Sequence, residues 1–453
     1  MQSDELLSQK VQQIRALTSM ARSQSAMRHR PRGFQQTVGG VEDKVGVFHP
    51  GTQHSWQTAR ALYEIGRLRW YATSIYYQPS RWPYRVTDYL PNTLRNKATA
   101  EFKRFYHPKL PPSLVYTVGI HEWIERGFAR MGFHRAAERM NFWGNRAFSQ
   151  SISRLMTTEP VRAIWGYDTS SADAFKHAKR LGMMTILDRT IGDPRVYNSI
   201  MQEVYEQYRE YFTNGDFRLS QNIIDVQDTE YSLADRILVG SRFCGETITD
   251  PLARPDVAQK IEIVPYCFDD IFFKPINSPP RPANKPVRFL FLGQAGPRKG
   301  IHLLLNAFAR IPSSAATLTI VGQLQIPSDV YSRYADRVTL HSAVARSDVA
   351  PFIRDCDCLV FPSYFEGSGI TIYEALACGR GVIQSANANL DAIPDAGMVV
   401  HNLDEQTLYE ALMHVIDRPD ILSQWQANAP KVAEQFTFAR YCEAVSGVLS
   451  RIM

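Results

Sequence analysis

From residue 45 onward, short unbroken apolar runs alternate with stretches whose apolar positions recur every three or four residues. That is the pattern of buried strands separated by helices. Val45-Gly46-Val47-Phe48-His49 reads as a strand, Pro50-Gly51-Thr52 as a turn, and Trp56 to Ile65 as a helix stopped by Gly66. Further strands are predicted at 70–77, 161–165, 184–187, 237–239 and 261–264, with a helix over 171–181. The stretch 80–155 is crowded with arginine and aromatic residues and yields no assignment; the tryptophans Trp70, Trp82, Trp123 and Trp143 read as core. Residues 275–286 carry five prolines in twelve positions, a stiff linker. Beyond it the alternation restarts, with apolar runs at 287–292, 318–321, 338–340, 359–361, 382–383 and 398–400.

The pattern predicts an α/β chain of two Rossmann-like, doubly wound parallel-sheet domains facing a central cleft. In such sheets ligands bind outside the carboxyl ends of the strands. Residues 1–40 read as an appendage, with one apolar stripe (Leu7, Val11, Ile14, Leu17) followed by Arg28, Arg30 and Arg32. A segment of this kind lies on a membrane or packs on the body or a partner.

Composition narrows the function classes. The chain has 453 residues, 44% hydrophobic and 21% charged, which excludes wholesale disorder and suits more than one core. No run is long enough to span a membrane, the N-terminus lacks the regions of a signal peptide, and six cysteines form neither a disulfide framework nor a zinc site. A cytoplasmic location is expected. The net charge of +6 hides an asymmetry: residues 1–150 hold 22 Lys/Arg against 10 Asp/Glu, and the remainder 29 against 35. A basic front suits an anionic partner such as a membrane surface or a phosphorylated lipid, or is simply a solvated face. Nucleic acid is not expected, since neither zinc-finger spacing nor an RNA-recognition motif is present.

Two loops carry chemistry. After 287–292 comes Gly293-Gln294-Ala295-Gly296-Pro297-Arg298-Lys299-Gly300, then a helix. Adjacent cations at a helix N-terminus oppose its dipole unless an anion sits between, and a phosphate is the natural candidate. After 359–361 comes Pro362-Ser363-Tyr364-Phe365-Glu366-Gly367-Ser368-Gly369-Ile370, then a helix from about Thr371. Its glycines let amides approach a ligand, and Glu366 and Glu374 suit sugar hydroxyls. Alternatively, Thr371 and Glu374 form a capping box in which Glu374 serves only the backbone.

Arg298-Lys299-Gly300 together with Glu366-Gly367-Ser368-Gly369-Ile370-Thr371-Ile372-Tyr373-Glu374 resembles the donor site of retaining glycosyltransferases of family 4, which have the GT-B fold. Cys267 to Pro275 resembles the segment leading into that family's second domain. The resemblance is strong over roughly 235–453 and weak before. It implies an acceptor-binding domain over 41–274, a donor-binding domain over 287–435, and a helix over 436–453 crossing back to the first domain. It implies that Lys299 binds the donor diphosphate, Glu366 the sugar hydroxyls and Glu374 the nucleotide ribose, with amides around Gly369 and Ile370 on phosphate. Gln294 replaces the arginine common in the family, and Arg298 supplies the charge. The family's first-domain histidine is absent; Asp188, Arg189 and Thr190 stand there.

The resemblance implies a retaining, metal-independent transferase, with no cofactor, moving a sugar from a UDP- or GDP-sugar to a glycan or lipid-linked glycan in polysaccharide biosynthesis. A silent nucleotide-binding module and a nucleotide-sugar epimerase or hydrolase are the alternatives. Gly51, Thr52, His54, Asp168, Asp188 and Arg189 are candidate acceptor contacts, with His49 and Tyr167 beside them. Asp355-Cys356-Asp357 spells a metal-binding Asp-x-Asp, yet it precedes a buried strand where a helix is ending. No metal is expected.

Overall fold

The structure, a computed structural model, describes residues 43–453 except 52–53, 79–83, 90, 92, 94, 96–101, 103–106, 108, 118–147, 214, 216, 251 and 276–284. The apolar stripe and arginines of 1–40, Thr52, Trp82, Trp123, Trp143 and most of the proline linker lie outside the described residues.

Two parallel sheets form the body. The first holds β1 (Val45–Phe48), β2 (Leu68–Thr73), β3 (Val115–Thr117), β4 (Ala163–Tyr167), β5 (Met184–Arg189), β6 (Arg236–Val239) and β7 (Ile261–Ile263). Their spatial order is β3-β2-β1-β4-β5-β6-β7. The second holds β8 (Val287–Leu292), β9 (Ala316–Val321), β10 (Val338–His341), β11 (Cys358–Phe361), β12 (Gly381–Ser385) and β13 (Gly397–Val400), in the order β10-β9-β8-β11-β12-β13. The winding reverses between β1 and β4 in one sheet and between β8 and β11 in the other. The loops after those strands therefore flank the crevices where such sheets bind ligands. The central strands are apolar on both faces because helices cover both.

The helices used below are α1 (Ser55–Glu64), α2 (Ala172–Arg180), α3 (Pro194–Gln207), α4 (Gln221–Leu233), α5 (Arg242–Thr249), α6 (Ile301–Ala309), α7 (Val349–Asp355), α8 (Ile370–Ala377) and α9 (Phe438–Ile452). The last of these places Tyr441, Val445, Val448 and Leu449 in the first domain's core. The Tyr441 and Thr58 hydroxyls share a hydrogen bond of 2.6 Å, fastening α9 to α1. α9, which follows the second sheet in sequence, thus packs on the first domain.

Several element boundaries differ from the sequence expectation. β2 ends at Thr73, although Ile75, Tyr76 and Tyr77 in the irregular segment beyond it stay buried, which is why the apolar run reads longer than the strand. β4 lies two residues later than expected. β5 continues through Asp188 and Arg189, which pair in register with Leu238 and Val239 of β6. Polar side chains interrupt an apolar pattern without ending a strand when they are buried with partners. The unassigned stretch contains β3 and a helix over 148–158, whose Phe148, Ile152, Leu155 and Met156 enter the core at helical spacing.

Candidate functional site

The loops after β8 and β11 lie side by side, joined by a backbone bond from the Tyr364 amide to the Arg298 carbonyl at 2.9 Å. Lys299 Nζ approaches Glu366 Oε1 at 2.6 Å, and Arg298 Nη1 reaches the same oxygen at 2.9 Å. The Ser363 hydroxyl donates to it at 2.7 Å. Two cations converge on one carboxylate at the mouth of a switch point. Burial alone pushes the Glu366 carboxyl up. The charges of Lys299 and Arg298, with the hydrogen bonds from Lys299 and Ser363, outweigh it and hold the group below the ordinary glutamate range. Lys299 is held below its ordinary value by burial, with Arg298 adding to the effect. Its ammonium also lies 4.3 Å from the centre of the Phe361 ring.

Two glycines shape the loop. Gly369 takes φ 69°, a left-handed conformation that opens the first turn of α8. Gly367 packs so tightly that a Cβ would stand 1.9 Å from the Thr190 carbonyl oxygen of the first domain. The Ser241 hydroxyl donates to the Gly367 carbonyl at 2.8 Å, and Ser368 Oγ donates to the Gly240 carbonyl at 3.2 Å. Loop and first domain are thereby locked together. Asn389 supports the loop from beneath, donating to the Tyr373 hydroxyl at 2.7 Å and the Ser368 carbonyl at 3.3 Å.

A cavity of about 440 Å³ opens beside this contact. Lys299, Glu366, Gly367, Ser368, Gly369, Ile370, Thr371 and Glu374 line it from the second domain, with Arg346 from the loop after β10. His54, Thr190 and Tyr266 line it from the first. Glu374 accepts from Arg346 Nη2 at 3.0 Å. The capping-box alternative is corrected here: the residue capping α8 is Gly369, not Thr371, and Glu374 faces Arg346 in the cavity. Burial pushes the Glu374 carboxyl up, against the pull of Arg346. His54 is pushed down to about 4 by burial and the nearby Arg346 charge, so it is neutral near pH 7.

The other first-domain candidates lie elsewhere. Gly51 packs beneath the His49 ring, and neither lines the cavity. Asp188 is buried within β5, where it accepts from Trp165 Nε1 at 3.0 Å and from the Tyr266 hydroxyl. Burial raises it to about 7 against those hydrogen bonds. Arg189 is fully buried, donates to the Gly192 carbonyl at 2.6 Å and faces Asp168 at 3.7 Å. Asp168 in turn accepts from the Thr190 amide and hydroxyl. The expectation that Asp188 and Arg189 follow the strand in a cleft loop is thus corrected: both belong to the strand, and Asp168 with them faces a buried polar network. Gln294 does not line this cavity either. Asp355 and Asp357 both pair with Arg288 at 2.9 Å, at the start of β11 and so at the opposite end of the sheet from the cavity. Among the described residues, no group of three or more His, Cys, Asp or Glu side chains is placed to hold a metal.

Sequence reasoning missed Arg346, Asn389 and Tyr266. Arg346 lies in a loop after a strand of the second sheet, the place where the fold directs the search, but an isolated arginine between Ala345 and Ser347 carries no motif.

The chain is similar in sequence and fold to known glycosyltransferases. Residues 286–418 match the family described as Glycosyl transferases group 1. An N,N'-diacetylbacillosaminyl-diphospho-undecaprenol alpha-1,3-N-acetylgalactosaminyltransferase of Campylobacter jejuni is 24% identical over 170 residues, 37% of this chain and 44% of that protein. A D-inositol 3-phosphate glycosyltransferase of Mycolicibacterium smegmatis is 30% identical over 175 residues, 36% of this chain and 40% of that protein. The chain thus matches less than half the length of these relatives. Among solved structures, sucrose-phosphate synthase from Thermosynechococcus elongatus superposes with a TM-score of 0.61 at 16% identity, covering 90% of this chain and 99% of that one. HepE from Anabaena, solved with UDP-glucose, gives 0.57 at 12% identity, covering 90% and 100%. The shared architecture is the GT-B fold.

Proposed function

We propose that the chain is a retaining glycosyltransferase that moves a sugar from a nucleotide diphosphate sugar to a glycan or lipid-linked glycan. The observation that carries the reading is the convergence of Lys299 and Arg298 on Glu366 beside the start of α8, with Glu374 in the same cavity. The hard step in such a transfer is the growth of negative charge on the departing diphosphate. Fixed cations and amides aimed at that charge lower the barrier most. Lys299, Arg298 and the amides of Gly369 and Ile370 take that role, and Glu366 is left to hold sugar hydroxyls. Glu374, with Arg346 beside it, receives the ribose.

The bond from the anomeric carbon to phosphate breaks, the bond to the acceptor oxygen forms on the same face, and a phosphate oxygen takes the acceptor's proton. The reading assigns charge neutralisation to the chain's own cations rather than to a metal. The first domain receives the acceptor, and the basic front suits the anionic inner face of a membrane. A lipid-linked acceptor is in keeping with the Campylobacter relative, whose name specifies a diphospho-undecaprenol substrate. Among the described residues no helix is long and apolar enough to cross a membrane.

Incubation with UDP-, GDP- and ADP-sugars, in the presence of a polyprenyl-diphosphate glycan, tests the reading. At least one donor is expected to release its nucleoside diphosphate with the anomeric configuration kept in the product. Inversion, or no turnover of any donor by folded protein, would contradict it.

A further inference from the structure

A second cavity, of about 450 Å³, shares Lys299 with the first as a common wall. One side is α3 and the segment after it, presenting Tyr197, Met201, Phe212 and Phe217. The other is the loop after β8, from Gln294 to Lys299, and the loop after β9, with Gln323 and Gln325. These two loops form a rigid platform. The Ala295 amide donates to the Gln323 carbonyl at 2.8 Å, and the Gln325 amide to the Ala295 carbonyl at 2.9 Å. The aromatic side is fixed as well: Phe212 and Phe217 stand 5.4 Å apart, each packed on Tyr205. Tyr197 is seated edge-on against Phe365 at 5.3 Å, so it is tied to the loop that carries Glu366.

The lining selects a ligand chemistry. Each glutamine amide offers two donors and an acceptor oxygen without charge. The cations on the shared wall are already matched to Glu366. Aromatic side chains opposite neutral amides suit a molecule with an apolar C–H face and a rim of hydroxyls, a pyranose, better than a phosphate. A volume of this size falls in the range of small-molecule sites.

We propose that this cavity is a saccharide subsite holding one pyranose unit of the acceptor glycan. The unit packs on Tyr197, Phe212 and Phe217, and its hydroxyls meet Gln294, Gln323 and Gln325. The assignment rests on the transferase reading above for the word acceptor, and on the lining alone for the word saccharide.

The test is saturation-transfer NMR on the full chain with the methyl pyranosides of glucose, galactose, mannose and N-acetylglucosamine. It is run with and without UDP or GDP, whose own binding is measured in parallel. At least one glycoside is expected to show transfer that survives saturating nucleotide and falls at least fivefold in a Phe217→Ala/Gln325→Ala variant with unaltered nucleotide affinity. Gln323→Ala, at an exposed position, carries the same test if the double variant fails to fold. No transfer from any glycoside, transfer unchanged in the variants, or transfer abolished by nucleotide would overturn the subsite. A variant that weakens UDP-glucose more than UDP would assign the cavity to the donor's sugar and overturn the acceptor assignment. Glycoside binding without nucleotide binding would sink the transferase reading and leave the saccharide subsite standing.

Discussion

At the switch point of the second sheet, Lys299, Glu366 and Glu374 face a cavity, with Arg298 bound to Glu366 beside it. Near that of the first sheet, Arg189 faces Asp168, while Asp188 accepts from Trp165 and Tyr266, and none of the three lines the cavity. Both sets stand at the carboxyl ends of parallel strands, and from sequence both are charged residues after an apolar run. The difference lies in what satisfies them. Asp188 is buried on the Trp165 indole and the Tyr266 hydroxyl, and Arg189 on the Gly192 carbonyl and Asp168, so both are satisfied by the first domain itself. Lys299 and Glu366 are matched to each other across a cavity wall, an arrangement that an entering anion and a polyol can divide between them. Charge at a strand end therefore marks a site only when a cavity reaches it.

The largest effect that would break this contrast belongs to Arg189. Removing a buried cation leaves Asp168 uncompensated, and Arg189→Ala is expected to cost about 3 kcal/mol or more of stability in chemical denaturation. A loss below about 1 kcal/mol would mean that the network is not structural. Lys299→Ala is expected to do the reverse. It lowers kcat at least tenfold, about 1.4 kcal/mol in the barrier, and leaves the melting temperature near that of the wild type because Arg298 and Ser363 still hold Glu366. Near-normal turnover would remove Lys299 from the mechanism.

Asp188 gives a smaller test through pH. Its carboxyl is raised to about 7 in the folded protein, so between about pH 4 and that value the folded state keeps a proton that the unfolded state has released. Its contribution to stability is therefore present at low pH and is lost as pH rises through about 7. Relative to Asp188→Asn, the wild type should lose on the order of 1 to 3 kcal/mol between about pH 5 and about pH 8. Equal slopes for the two proteins would contradict the buried, protonated carboxyl. The smallest effect concerns the basic front. Weak sedimentation with anionic phosphatidylglycerol vesicles at low salt is expected, fading as salt rises. No binding at low salt would sink the membrane contact.

The same contrast explains what was legible in the sequence. The loops after β8 and β11 could be read because strand, glycine loop and helix are contiguous, and because Glu366 and Glu374 flank one helix start. The register of β5 could not be read, because Asp188 and Arg189 look like the end of a strand until their partners, Trp165, Tyr266 and Gly192, are brought to them by other elements. The capping-box alternative fails for a local reason: the left-handed Gly369 starts α8 before Thr371 can cap it. Arg346 was invisible since its partner, Glu374, lies 28 residues away. The second cavity was hidden for the same reason, its glutamines and aromatics coming from three separate segments and meeting only in the fold.

The central claim is that the cavity beside Glu366 and Glu374 receives a nucleoside diphosphate. Thermal unfolding with UDP, GDP, ADP and CMP, in the wild type and in Glu374→Ala, tests it most directly. At a concentration a hundred times its Kd, one diphosphate should stabilise the wild type by about 2.7 kcal/mol, and the variant should lose most of that gain at the same concentration. No shift from any of the four nucleotides, or an equal shift in the variant, would contradict the account.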